Sequence, residues 1–207
     1  MIDFFINAYK EASATRIALE FIAFVFGIIS VWFAKKENIL VYPTGLIATI
    51  ITTYFLYVTG YLGDMMINAY FSIMSLYGWY KWSKGKANQN ELPISRTDKK
   101  EKIIGIALFV ITVIVVYAIY KFFDYTINKD NYIDIFASGL FFTGMWYMAL
   151  KKIENWTLWI IGDIIVTPLY AYRGLGMLAL QYLIFTIIAI AAYLEWKKIL
   201  NNSLQRS

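Results

Sequence analysis

The sequence predicts an all-α polytopic membrane protein. Seven transmembrane helices form a 3+1+3 parallel repeat within a single domain covering residues 1–207. Three observations predict it. Apolar residues make up 60% of the chain and charged residues 16%, against about 45–50% and about 25% in a soluble domain. The excess is gathered into runs such as 103–120 (IIGIALFVITVIVVYAIY), with no charge over 18 residues, about the length that crosses a bilayer core. The chain also repeats itself at a spacing suited to triple-helix units.

The elements follow in order. Met1–Arg16 carries Asp3, Lys10, Glu11 and Arg16, and the apolar run behind it is too long for the h-region of a cleaved signal peptide. Ile17–Ala34 is therefore the first span. The others are 39–58, 62–82, 103–120, 132–150, 155–172 and 174–196. Helix is the reading for all of them, because backbone in lipid must satisfy its own hydrogen bonds and these runs are too continuously apolar for barrel strands. Span two holds Pro43, Thr44, Thr49, Thr52 and Thr53, and span six holds Gly162, Asp163 and Pro168. Such residues bend membrane helices, and bends commonly sit beside substrate paths.

Lys and Arg set the orientation. With the N-terminus outside, the inner segments hold 14 basic residues and the outer ones 5, so the chain is expected to start outside and end in the cytoplasm of a cell with an inner membrane. The stretch 83–102 is polar and basic and contains Pro93. It is expected to be a cytoplasmic linker, not a domain. The net charge of +5 belongs to this topology and does not point to nucleic acid.

The repeat rests on identities. Phe24, Gly27, Lys35, Glu37, Asn38, Gly45 and Ile47 recur 117 positions later, and Leu56, Tyr57, Leu62 and Gly63 recur 113 later, where Asn68 meets Gln181. The change of offset is about one helical turn. Three helices finish on the side opposite to their start, so a second triple in the same orientation needs one extra crossing. Span 103–120 has no partner and supplies it. Repeat one is then 17–82, the linker helix 103–120 and repeat two 132–196, with a site expected at their interface near mid-membrane.

Candidate site residues come from this interface. Asn68, Ser72, Ser75, Trp79 and Trp82 fall on one face of span three, and Trp156, Trp159 and Asp163 on one face of span six. Asp163 lies about 12 Å past the span boundary, and an ionisable residue at that depth is a functional candidate by default. Thr143, Trp146, Tyr147, Gln181 and Tyr182 reach comparable depth. Each has a plainer reading. Trp82 and Trp156 could be interfacial anchors. Asn68, Ser72 and Ser75 could be interhelical glue, and Asp163 could hold a bent helix. Glu20 is expected to be structural, and Asp64 to cap span three.

The inventory excludes several chemistries. The chain has no His and no Cys, which removes the usual metal and thiol sites. No nucleophile elbow and no phosphate loop occur, so neither an enzyme nor an ATPase is expected, and no cofactor or metal. The last span has no interior Lys for a retinal Schiff base. What remains is a helical bundle with an aromatic, amide-rich cavity. It suits a flat, polar, weakly cationic molecule, with indole faces for the cation and one carboxylate to offset it. A membrane-embedded scaffold or sensor is the alternative, and oligomeric state, a homo-oligomer included, is open.

The run Asn68–Trp82, with Tyr77-Gly78-Trp79 followed by Trp82, resembles the Tyr-Gly-Trp-x-x-Trp signature of the PnuC vitamin-transporter family. So does Lys151–Asp163, with Glu154-Asn155-Trp156 and Trp159. The resemblance covers about 15–200. It implies a fold related to the SWEET sugar transporters, and a site drawn from Asn68, Ser72, Ser75, Tyr77, Trp79, Trp146, Trp156, Trp159, Asp163 and Gln181. It implies facilitated diffusion of nicotinamide riboside, or of thiamine in related members, trapped by a cytoplasmic kinase. The riboside members carry Gln in place of Asn68 and Asn in place of Ser75, so both vitamins stay open.

Overall fold

The computed structural model describes residues 13–58, 62–87, 92–123 and 127–205. Residues 1–12, which bear on the signal-peptide reading, and the side chain of Asp64 lie outside the described ones. Among the described residues the chain forms seven helices: α1 (Ala14–Lys35), α2 (Val41–Val58), α3 (Leu62–Ala87), α4 (Lys99–Phe122), α5 (Lys129–Ala149), α6 (Glu154–Tyr172) and α7 (Gly176–Leu204). The helices run 18 to 29 residues, roughly 27–44 Å at helical rise against a hydrocarbon core of about 30 Å. Three of them, α1, α4 and most of α7, are apolar enough to cross a membrane on composition alone. The others carry polar groups that the packing turns inward.

Local chemistry starts and stops these helices. Ser13 caps α1 by accepting from Arg16 N. Asp98 and Glu101 cap α4 reciprocally: Asp98 accepts from Glu101 N at 2.7 Å and Glu101 from Asp98 N at 2.8 Å. Pro43 sits in the first turn of α2, where a missing N–H costs nothing. Glu20 pairs with Arg16 at 2.8 Å, one turn away.

Packing follows chain order within two triples. Helix α1 lies on α2 and α2 on α3; α5 lies on α6 and α6 on α7. Two seams join the triples, α1 against α7 and α3 against α5. Helix α4 packs on α5 and only lightly on α3. Ile103, Ile106, Ile111 and Ile114 of α4 point outward, a large apolar face that only lipid or another apolar surface can cover. The largest core gathers where the α1–α2 and α5–α6 turns meet the C-terminal parts of α3 and α7, here called the basic end. Tyr42, Trp82, Trp156 and Trp196 are buried there. A second cluster, with Phe141, Val166 and Tyr170, lies further along.

One reading needs correction. Trp82 and Trp156 are not interfacial anchors. Both are buried, each edge-on to a neighbouring ring: Tyr42 to Trp82 at 5.1 Å and Trp156 to Trp196 at 5.4 Å. Sequence position puts them near span ends, but the seams fold over them. The connection after α3 is a linker that docks on the bundle. Helix α3 runs on to Ala87, and residues 92–98 dock as a strap on the α5–α6 turn. Ser95 N donates to Lys151 O (3.1 Å), Ile153 N to Ser95 O (3.0 Å) and Thr97 N to Glu154 Oε2 (3.0 Å). Ile94 is buried beneath. An extended strap lacks helical periodicity, so composition alone reads it as solvated.

The seams carry crossed bonds. Trp82 Nε1 donates to Ala149 O at 3.2 Å, from the end of α3 to the end of α5. Trp196 Nε1 donates to Lys35 O at 3.1 Å, from α7 to the end of α1. The matching positions Lys35 and Ala149, Tyr42 and Trp156, and Trp82 and Trp196 are each 114 apart. The residue identities in this region instead matched at 117.

Candidate functional site

The seam between α3 and α5 is lined with rings. Helix α3 contributes Tyr70 and Phe71. Tyr70 stacks on Phe142 of α5 at 3.7 Å and donates from its hydroxyl to the Phe142 carbonyl at 3.2 Å. Phe71 meets Trp159 of α6 at 5.7 Å, and Trp159 stacks on Phe141 at 5.3 Å. Phe141 continues to Tyr182 of α7 at 6.0 Å, which meets Tyr170 at 5.2 Å. Gly162 allows α6 this close: a Cβ there would clash with the Phe141 ring. The result is an aromatic path from the first triple into the second, with Trp159 at its centre.

Asp163 follows Trp159 by one turn on the same helix face. It is 1% exposed, and its Oδ1 has no hydrogen-bond partner. A buried carboxyl oxygen without a partner is unusual. The Nε1 of Trp156, also buried, is likewise unpartnered.

The other sequence candidates divide. Ser75 is buried and donates to the Phe71 carbonyl at 2.8 Å. Ser72 bonds Thr49 of α2 at 2.8 Å and donates to the Asn68 carbonyl at 3.1 Å, so its hydroxyl ties helices of its own triple. Asn68 is half-buried on the same face. Gln181 lies on the other seam, where a methyl on Gly27 would stand 2.7 Å from its Nε2. Trp146 is partly buried at the basic end, tilted on Tyr147 at 5.2 Å.

Three assignments change. Tyr77 is 37% exposed, with Lys81 5.7 Å over its ring. It lies two residues from Ser75, about 200° around the helix, and so faces away from the site. Trp79 keeps to the stripe but is 39% exposed, and the ring that meets Trp159 is Phe71. Trp156 packs on Trp196 within its own triple. Sequence reasoning missed Tyr70, Phe71, Phe141 and Phe142. Phe71 was detectable, being one turn before Ser75, but phenyl rings in an apolar span read as lipid-facing by default.

Ion pairs cluster at both ends. At the basic end Lys151 Nζ reaches Glu37 Oε2 at 2.9 Å across the two triples, and lies 4.6 Å above the Trp82 ring. Lys152 pairs with Glu101 at 2.8 Å, and Glu195 with Lys36 at 2.9 Å. Glu37 and Lys151 are the two non-glycine residues with left-handed backbone among the described ones, at φ 52° and 51°. Each follows the C-cap of its helix, where the left-handed conformation closes the last turn. At the opposite end Arg173 grips Asp130 at 2.7 Å and Asp134 at 2.6 Å, tying α5 to the α6–α7 turn. The hydrogen bond from Arg173 holds the Asp130 carboxyl below the usual carboxylate range.

The comparisons with known proteins agree with this architecture. The crystal structure of the vitamin B3 transporter PnuC superposes with a TM-score of 0.73 at 22% identity, covering 95% of this chain and 86% of that one. The nicotinamide riboside transporter PnuC of Escherichia coli (strain K12) is 22% identical over 201 residues, 86% of this chain and 84% of its own. The riboflavin/roseoflavin transporter RibM of Streptomyces davaonensis is 19% identical over 176 residues, 83% of this chain and 81% of its own. These relatives are membrane transporters, and with its apolar helices this chain is a multi-pass membrane protein of the same kind rather than an enzyme. The nicotinamide mononucleotide transporter family model matches residues 17–198, and the chain belongs to that family.

Proposed function

We propose that the protein carries nicotinamide riboside across a bacterial inner membrane by facilitated diffusion, and that a cytoplasmic kinase acting on the arriving vitamin prevents its return. The observation that carries this reading is Asp163: a buried carboxyl oxygen without a partner, one turn from Trp159 in an aromatic path that spans both triples. A pyridinium ring is flat and cationic. Phe71, Trp159 and Phe141 can take its faces, and the carboxylate can balance its charge. The name of the Escherichia coli relative supports the same vitamin.

The architecture in this reading is two parallel triples around α4, the SWEET-like 3+1+3 layout. The reciprocal seams α1·α7 and α3·α5 support it, as do the correspondences at 114 residues. The basic end is assigned to the cytoplasm from its Lys and Arg excess. Thiamine is the second reading, favoured by one feature: Asn68 and Ser75 are shorter than the Gln and Asn of the riboside pattern. Asn68 and Gln181 then serve the polar part of the vitamin.

Uptake of labelled vitamin into proteoliposomes holding this protein alone tests the proposal. Saturable, equilibrating uptake of nicotinamide riboside is expected. No saturable uptake of riboside or thiamine would leave a scaffold or sensor as the better reading.

A further inference from the structure

The basic end holds a cavity of about 250 Å³ that lies between the triples. Its walls come from the α1–α2 turn (Lys36, Glu37, Asn38), the end of α3 (Trp82), the strap (Leu92) and the α5–α6 turn (Lys151). Inside it, the Lys151 ammonium sits against the Glu37 carboxylate at 2.9 Å and over the Trp82 indole face at 4.6 Å. A carboxylate beside an indole face is a recognition unit for a cation. Here its occupant is a side chain of the protein itself, 7% exposed. The second lysine of the cavity does not compete for the unit, because Lys36 is paired with Glu195.

We propose that Glu37 and Trp82 form an exit subsite for an organic cation, which Lys151 fills as a tethered stand-in when no ligand is there. This rests on the reading of the substrate as a cationic vitamin. Trp82 lies eleven residues beyond Phe71 along α3, at the basic end of the seam that a leaving vitamin follows in this reading. The vitamin's cationic ring displaces the ammonium from the indole face and the carboxylate. The ammonium swings into the cavity, where water replaces its lost partners, and it returns when the vitamin leaves. The exchange of one cation for another keeps the Glu37 charge compensated throughout, so passage does not strand a partly buried carboxylate. A neutral flavin gains nothing from the carboxylate and leaves Lys151 in place.

Tetramethylammonium chloride titrated into the purified full chain tests this, by calorimetry at constant ionic strength. Lys151→Met is expected to bind it roughly tenfold more tightly than the unaltered chain, Lys151→Arg to match the unaltered chain, and Lys151→Met with Glu37→Gln to lose the gain. If Lys151→Met does not fold, the same titration on Lys151→Gln decides. A folded Lys151 variant that binds no better than the unaltered chain overturns the subsite. The probe is not a vitamin, so the two proposals fail separately: a positive titration without vitamin uptake removes only the substrate reading. Uptake with a null titration removes only the exit subsite.

Discussion

Glu37 and Lys151 occupy the same place in two different turns, 114 residues apart, and they pair with each other at 2.9 Å. Each is the left-handed residue closing the first helix of its triple. In the proposed parallel layout, equivalent positions touch only near the axis that relates the triples, which is where this pair sits at the basic end. Identical residues there would place like charges in contact; one acid and one base make a bond.

That pair predicts a coupling. Glu37→Gln or Lys151→Met alone should destabilise the protein, Glu37→Gln the more, because it strands the more buried charge, the Lys151 ammonium. A double-mutant cycle on thermal unfolding in detergent should give an interaction of about 1–3 kcal/mol, between the ranges of exposed and buried pairs. Additive effects would mean that the pair contributes nothing.

Trp159 should matter more than Trp79. Trp159 sits between Phe71 and Phe141, whereas Trp79 is exposed. Trp159→Ala should weaken vitamin binding by roughly 1–3 kcal/mol, about five- to 150-fold, and Trp79→Ala by much less. Fluorescence titration of both variants with nicotinamide riboside and thiamine checks the order.

The polar residues discriminate vitamins. Asn68→Ala should cost about 1–2 kcal/mol if its amide bonds the ligand. Asn68→Gln with Ser75→Asn should shift preference toward nicotinamide riboside if the chain prefers thiamine, read as a ratio of binding constants. An unchanged ratio in a chain that prefers thiamine would place these residues outside recognition.

The Arg173 clamp should make stability depend on acid. Arg173 lowers the folded-state pKa of Asp130, so the unfolded chain takes up that proton first as pH falls. Its stabilisation is complete above the ordinary carboxylate pKa, about 4, and is lost as pH drops through the lowered value. Asp134 shares the guanidinium and faces the same clamp. The unfolding midpoint of Asp130→Asn should therefore lie below that of the unaltered chain near neutrality, and the gap should close in acid.

Transport should require neither ATP nor a proton gradient, since no phosphate loop occurs in the sequence and ionisable groups are scarce in the spans. Uphill accumulation of unmodified vitamin in vesicles that contain no kinase would contradict this.

The helices were legible in the sequence because lipid demands long apolar runs. Their register against one another was less so. Lys35 matches Lys152 in identity and Glu37 matches Glu154, which gives 117, while backbone geometry pairs Glu37 with Lys151. A slip of three residues is close to one helical turn, so it keeps the face and loses the partner. Asp163 and Trp159 were legible because charge and indole are rare at depth. Phe71 and Phe141 were not, because a phenyl ring packed on another ring and one facing lipid look the same in one sequence. The strap at 92–98 was hidden for another reason: its bonds use backbone, which carries no residue signature.

The crossed tryptophan bonds set an order of assembly. Trp82 waits for a carbonyl 67 residues further on, and Trp196 reaches back 161 residues to Lys35. While the ribosome is still making α5, the first triple has no partner for either seam, and α1 stays unlocked until the final helix is in the membrane. Contacts of such long range form late and slowly. A chain truncated before Gly176 would therefore enter the bilayer yet leave the α7-facing side of its first helix bare to membrane quality control.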